Sequence, residues 1–369
     1  MSNNTHSAFS RSRVPVWLHF VAGTFVAYYA VMFYSELYQP RWTGIGFEFS
    51  NGSMLITSVA TNSPAGRAGL MPGDRVRAVD ERTIQLWEDW SRFVAAREIG
   101  RTYHFAVERA GQEAECQMTL GRQSGDPLMR LERKRYVQFF LLLLALFLAY
   151  VRPRQVVAMI GAWFLAGIGT APVFPGAEMT AIWRELPVLL GAALWVPQLT
   201  HLMLLPLLFT FFALFPRRLF RSRWPWFIVW GPAVMVAVWS FPQIYDHIYR
   251  PPVLEDLPPW LRFVLGMAIL SYGGGALIAL LVNCRRLTEP GDRKRVRVMA
   301  AGAVLGLLPG LPFLAAIFWG TLTQSEFVWF FVSTEYRLFA LGCFLAFPLA
   351  LGYAVIRHRV LDFTTSPSR

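Results

Sequence analysis

The sequence predicts a polytopic α-helical membrane protein of about eight transmembrane helices, with a small α+β domain inserted after the first helix. Three observations carry that prediction. Of 369 residues, 55% are hydrophobic and 15% aromatic while only 16% are charged, and the mean hydropathy of +0.39 is too apolar for an ordinary soluble domain. Long apolar runs recur along most of the chain. One polar stretch separates the first run from the rest. The expected division is residues 1–35 as a cytoplasmic tail and signal-anchor helix, 36–128 as an exported domain, 129–356 as a bundle of about seven helices, and 357–369 as a short cytoplasmic tail.

The first run, Val14 to Tyr34, is long enough to cross a hydrocarbon core about 30 Å thick at about 1.5 Å per residue. It follows Arg11 and Arg13, and no small-residue cleavage site closes it, so it reads as an uncleaved anchor. Further runs are placed near 136–151, 155–174, 186–215, 225–241, 262–283, 298–319 and 336–356. The run at 186–215 exceeds one span, and Pro197 and Pro206 are expected to kink or divide it.

Orientation follows from basic residues in short connections. With the N-terminus inside, inner segments hold Arg11, Arg13, Arg152, Arg154, Arg217, Arg218, Arg221, Arg223, Arg285, Arg286, the group from Arg293 to Arg297, and Arg357, Arg359 and Arg369. Outer connections hold Arg184, Arg250, Arg262 and Arg337, alongside Glu178, Glu185, Asp246, Glu255, Asp256, Glu326 and Glu335. The formal charge of +12 is therefore mostly topology, and no basic block remains that calls for nucleic acid. Arg130 to Arg135, reading RLERKR, abuts the second span on the outer side and is expected to act as a lipid-facing collar. The expected location is a bacterial inner membrane, with both termini cytoplasmic and the domain periplasmic or extracellular.

Within the polar stretch, TGIGFEF is followed by MLITSVA, an alternating run that suits strands. In SPAGRAGL, Ser63 suits an N-cap, Pro64 the first helical position, and Gly69 a left-handed residue closing a very short helix. Pro72 and Gly73 then mark a turn into a strand. Leu86, Trp90, Phe93 and Val94 fall on one helical face, and Ala110 with Gly111 marks a closing hairpin.

This order resembles a bacterial PDZ domain across roughly residues 40 to 121. The resemblance rests on Gly44-Ile45-Gly46-Phe47, which matches the family's carboxylate-binding loop, and on Ser63-Pro64-Ala65, Ala68-Gly69-Leu70 and Gly73-Asp74. It implies a peptide or protein C-terminus docking as an added strand, its carboxylate held by backbone N–H groups near Ile45, Gly46 and Phe47. Arg41 stands as a charge partner for that carboxylate or as an interfacial anchor. Phe47, Phe49, Trp90 and Val94 stand as pocket walls, the last two alternatively as core. The groove itself either captures a peptide or is filled by the protein's own chain.

Elsewhere the chain lacks HExxH, the G-x-S-x-G elbow and GxxxxGK[ST], and its three cysteines lack CxxC spacing. The expectation is therefore no enzyme, no metal and no cofactor. Gly273 to Gly275 reads as close helix packing. Gln198, Thr200, His201 and Asn283 are the intramembrane polar residues, with His201 read either as a packing histidine or as a ligand or proton site.

The layout, with FALFPRRLF and ALGYAVIRHRVLDF, also resembles the membrane input region of sensor histidine kinases, although no kinase motif follows. The expected function is a membrane sensor or scaffold passing peptide binding through the bundle to a cytoplasmic kinase or other signalling partner. A regulatory subunit of a membrane enzyme and a transporter with an accessory domain stay open as alternatives.

Overall fold

The computed structural model describes residues 14–38, 41–50, 53–85, 89–90, 93–94, 97–122, 133–171, 175–215, 218–250, 259–286, 290–312 and 334–351. Helix α1, Val16–Tyr38, is mostly apolar, with Glu36 near its end, and precedes the inserted domain in sequence. The domain opens with β1 (Arg41–Trp42), β2 (Ile45–Ser50) and β3 (Ser53–Val59). The short helix α2 (Pro64–Arg67) follows, then β4 (Arg75–Val79), β5 (Arg82–Thr83), β6 (Thr102–Arg109), β7 (Gln112–Thr119) and β8 (Gly121–Arg122).

The main sheet runs β2-β3-β4-β6-β7, with β5 pairing β4, while β1 and β8 pair with each other as a two-stranded neck. Alternation does the sorting. Tyr103, Phe105 and Val107 on β6 and Cys116 and Met118 on β7 turn inward to join Met54, Ile56, Val76 and Val79, as the two-residue period of a half-buried strand requires.

Turn chemistry acts as read. The Ser63 hydroxyl accepts from the Gly66 N–H at 3.0 Å with Pro64 at the first helical position. Ala110 and Gly111 both take positive φ, 49° and 81°, the geometry of a tight two-residue hairpin.

One buried ion pair staples the domain. Asp74 is 1% exposed. It accepts from Arg109 Nε at 2.7 Å and Nη2 at 2.8 Å, and from the Met71 N–H at 2.9 Å. Burial by itself would raise the Asp74 carboxyl, but the Arg109 hydrogen bonds and the Met71 N–H outweigh it and hold the group below its ordinary range.

The helical part follows as α3 (Arg133–Val151), α4 (Val156–Gly169), α5 (Ala177–Glu185), α6 (Val188–Ala193), α7 (Trp195–Leu202), α8 (Leu204–Leu214), α9 (Trp224–Tyr249), α10 (Pro259–Arg285), α11 (Pro290–Leu307) and α12 (Thr334–Phe344). Among the described residues, three helices are long and apolar enough to cross a membrane: Val16–Leu37, Trp224–Tyr249 and Gly266–Arg285. A fourth counts if Val188–Leu202 and Leu204–Leu214, bent by 64°, form one span. The expected eight crossings are thus not reproduced. Within the runs near 136–151 and 155–174, the apolar helical stretches Arg135–Val151, part of α3, and Val156–Gly169 are shorter than those three spans. The runs at 298–319 and 336–356 lie partly outside the described residues.

The 186–215 run is bent at Met203, three residues before Pro206, whose missing N–H and ring disfavour continuing the preceding helix through the Leu202 carbonyl. Pro197 and Pro206 each stand third in a helix, Trp195–Leu202 and Leu204–Leu214. Within that helix a missing N–H costs nothing, because first-turn N–H groups have no intrahelical acceptor. Two of the three glycines at 273–275 mark close packing, while a Cβ at Gly274 would meet nothing within 4 Å. A Cβ at Gly275 would sit 3.1 Å from the Phe209 ring, and one at Gly273 would overlap Leu311.

RLERKR is not simply a collar. Residues 130–132 and the side chains of Arg133 and Lys134 lie outside the described residues, but Arg135 is buried. It pairs with Glu36 at the end of α1, with Nε donating to Oε2 at 2.8 Å, and it donates to Gln138 Oε1 at 2.6 Å. Tyr29 donates to the Arg135 carbonyl at 2.9 Å. The two helices flanking the domain are tied together at that point.

The Asp74 staple predicts a pH dependence. Because the folded carboxyl titrates below its ordinary value of 3.8, its contribution is complete above that value and lost as pH falls through the lower, folded one. In full-length protein with Cys284 and Cys343 replaced by Ser, urea-induced exposure of Cys116 to 4,4′-dithiodipyridine should shift to lower urea below pH 4. In Asp74→Asn the midpoint should already be lowered at pH 7, by the equivalent of about 2 kcal/mol, and should vary less with acid.

Candidate peptide-binding site

The GIGF segment sits where the chain turns into β2. Gly44 takes φ 79°, a left-handed conformation that side chains disfavour. Its carbonyl accepts from Ala60 N–H at 2.8 Å, and the Thr43 carbonyl accepts from Ala65 N–H at 3.0 Å. The loop is thereby fixed to the start of α2. Gly46 is required for a different reason: a Cβ there would overlap the Ser58 hydroxyl on β3.

Strand β2 lies at the end of the sheet order and pairs antiparallel with β3 alone, among the described residues. Its other side presents every second backbone N–H and C=O outward, the arrangement an extended peptide can complete as one more strand.

A helical segment described at residues 89–90 and 93–94 packs beside this strand. Phe47 meets Trp90 edge-on with ring centroids 5.2 Å apart, and Phe49 lies 5.8 Å from Phe47. Trp90 stacks on toward Phe93 at 5.0 Å, and Phe93 meets Phe105 in the core at 5.7 Å.

The structure therefore brings Ile45, Gly46, Phe47, Phe49, Trp90 and Val94 together, but in two roles. Ile45, Phe47, Phe49 and Val94 are half-buried against the core, whereas Trp90 is 3% exposed and belongs to the core itself. Arg41 sits on β1 with its backbone paired to Arg122, and its side chain lies outside the described residues. Leu86 lies outside them as well.

Sequence reasoning missed one neighbour of this site. Arg97, whose N–H bonds the Phe93 carbonyl at 3.0 Å and so ends the groove helix, pairs with Glu178 of α5 at 3.7 Å. No local signal links residues so far apart in sequence.

The intramembrane polar residues are also assembled. Tyr28 donates to Gln198 Oε1 at 2.8 Å, Thr170 Oγ1 lies 3.1 Å from His201 Nε2, and Trp163 donates to Thr200 at 2.7 Å. These contacts tie α1 and α4 to α7 just before the bend, and they leave the ring of His201 packed edge-on against Tyr28. No group of three or more His, Cys, Asp or Glu is placed to hold a metal ion among the described residues.

Comparison with known proteins then gives the domain a family. Residues 43–120 match the family model of the PDZ domain. The chain is 39% identical over 64 residues to "Putative zinc metalloprotease Atu1380" of Agrobacterium fabrum, which is 17% of this chain and 17% of that protein. It is 41% identical over 61 residues to "Putative zinc metalloprotease NMA0084" of Neisseria meningitidis, 15% of this chain and 14% of that one. Among solved structures, the HtrA-type protease AlgW with decapeptide is 21% identical across 23% of the chain, with a TM-score of 0.22.

The chain thus spans less than a fifth of the curated relatives it matches, and the matched length is that of the PDZ domain. These relatives are named metalloproteases and not sensor histidine kinases, which corrects the expected kinase kinship. They also overturn the expectation that the chain stands apart from enzymes, since all three curated relatives, including "Putative zinc metalloprotease mll0638" of Mesorhizobium japonicum, carry a protease name. The zinc in those names finds no fitting ligand set here: the sequence has no HExxH, and the described residues hold no metal cluster.

The two glycines predict separable defects. Gly44→Val should strain the loop by about 1–2 kcal/mol, and Gly46→Val should displace β2 from Ser58. Both should lower the urea midpoint for Cys116 exposure in the full chain. Glu48→Ala, on the exposed face of β2, should leave it unchanged within about 0.5 kcal/mol.

Proposed function

We propose that this chain is a bacterial inner-membrane protein whose PDZ domain captures an extended peptide or a protein C-terminus in the service of proteolysis. The observation that carries the reading is an edge strand, β2, opened by a glycine loop and flanked by the helix bearing Trp90, Phe93 and Val94. The curated relatives support the proteolytic setting, and three or four long apolar helices support the membrane.

In mechanism, the loop offers backbone N–H groups to a terminal carboxylate, β2 extends pairing along the peptide, and Ile45, Phe47 and Val94 receive an apolar side chain. Charge-assisted hydrogen bonds to the carboxylate contribute about 1.5–3 kcal/mol, so a free C-terminus is preferred over an internal segment. The basic bias of the inner connections supports an exported PDZ domain with both chain termini inside.

The test uses full-length protein in nanodiscs and a fluorescein-labelled decapeptide of glycine and serine ending in Tyr-Val-Phe. The free acid should bind at least about ten-fold more tightly than the C-terminal amide, and Gly46→Trp should abolish the difference. Equal binding of acid and amide, or no binding of either, would overturn the reading.

A further inference from the structure

The groove helix is held to the membrane bundle at one end. Arg97 closes that helix through its N–H bond to Phe93 and reaches Glu178, in the first turn of α5, at 3.7 Å. The two side chains are only 12% and 24% exposed, so the attraction is less screened than between fully exposed charges. Helix α5 is not a passive perch. Its Trp183 is buried, donates to the Gly191 carbonyl at 3.1 Å, and meets Tyr28 and Trp195 edge-on, both at 5.8 Å. Tyr28 in turn touches Gln198 and His201 beside the bend.

At the other end of the groove helix, Phe47 on β2 closes against Trp90. A side chain entering between strand and helix must part that contact. With the helix tail fixed to α5, parting it works against the ion pair.

We infer that Arg97–Glu178 is an autoinhibitory latch: it holds the groove helix toward β2 in the empty protein, and peptide capture loosens the PDZ domain from α5. The inference rests on the peptide-capture reading and specifies its regulation. Coupling of this kind is reciprocal, since whatever the latch takes from peptide affinity the peptide takes from the latch.

The experiment measures the same fluorescein-labelled decapeptide acid on full-length protein in nanodiscs, together with hydrogen–deuterium exchange of segment 89–97. Glu178→Gln and Glu178→Arg should bind the peptide about three-fold and about five-fold more tightly than the parent. Exchange in segment 89–97 should be faster in both. The exchanged pair Arg97→Glu with Glu178→Arg should return both readouts to the parent values.

Unchanged or weaker binding in the Glu178 variants, where the parent binds, would overturn the latch and leave peptide capture standing. If no variant and no parent binds the peptide, the capture reading fails, and exchange alone decides the latch. Faster exchange restored by the charge swap sustains it as a clamp, and unaltered exchange removes it.

Discussion

A folded domain inserted between two packed helices, α1 and α3, must return the chain to the place where it left, and that constraint organises this molecule. The return is made twice. At the domain's edge β1 and β8 pair through Arg41 with Arg122 and Trp42 with Gly121. At the helix ends Arg135 closes on Glu36, while Tyr29 donates to the Arg135 carbonyl. The first closure uses backbone hydrogen bonds and has no preference for particular side chains. The second does. A buried Arg–carboxylate pair adds little net stability relative to an apolar contact of the same shape, yet breaking it strands a charge. Its effect here is to fix which residues of α1 and α3 stand side by side, and hence the height at which the domain begins.

The same rule explains how a helix can bend inside an apolar bundle. A helix end buried away from water leaves carbonyls without partners, each a substantial cost in a low-dielectric setting. Where α8 ends, Asn283 of α10 supplies Nδ2 to the carbonyls of Phe212 and Phe215, at 3.0 and 3.1 Å. At the opposite end of α8, just before the bend at Met203, Gln198, Thr200 and His201 are engaged by Tyr28, Trp163 and Thr170. Gln198, Thr200 and His201 thus lie beside the break at Met203, while Asn283 serves the far end of α8. Beside the break, Trp163, Met203, Trp230 and Phe241 line a mostly apolar cavity of about 670 Å³ that Thr200 also borders.

The inserted domain was legible in the sequence because its signals are short-range. A serine cap, a first-turn proline and glycines at positive φ each announce a turn within four residues, and Ser63, Pro64, Gly69 and Gly73 all behave accordingly. Alternation in β6 and β7 then assigns faces. The peptide loop was legible for the same reason, although composition alone did not separate Trp90, a core residue, from Phe47, which lies at the rim. The bundle was less legible. Hydropathy marks where apolar segments lie but not how they terminate, and here only Pro206, three residues after the break at Met203, gave a local sign of it. The surface helix Ala177–Glu185 was read only as an acidic connection, and Glu178 as a topological charge. Its pairing with Arg97 joins two segments that no local pattern connects.

The match to metalloproteases is confined to the PDZ domain, and the physics of such a unit accounts for that confinement. An edge strand, a left-handed glycine and an aromatic rim recognise a chain end through backbone groups that every peptide shares, so the unit needs no knowledge of the chemistry performed elsewhere. A zinc centre makes the opposite demand, since its ligands must converge from fixed side chains, and neither the sequence, without HExxH, nor the described residues provide that convergence. What this chain shares with those proteins over the matched residues is the PDZ domain. The specific part, by the same reasoning, lies where the domain meets its own bundle: at the neck, at Arg135, and at the contact between the groove helix and α5.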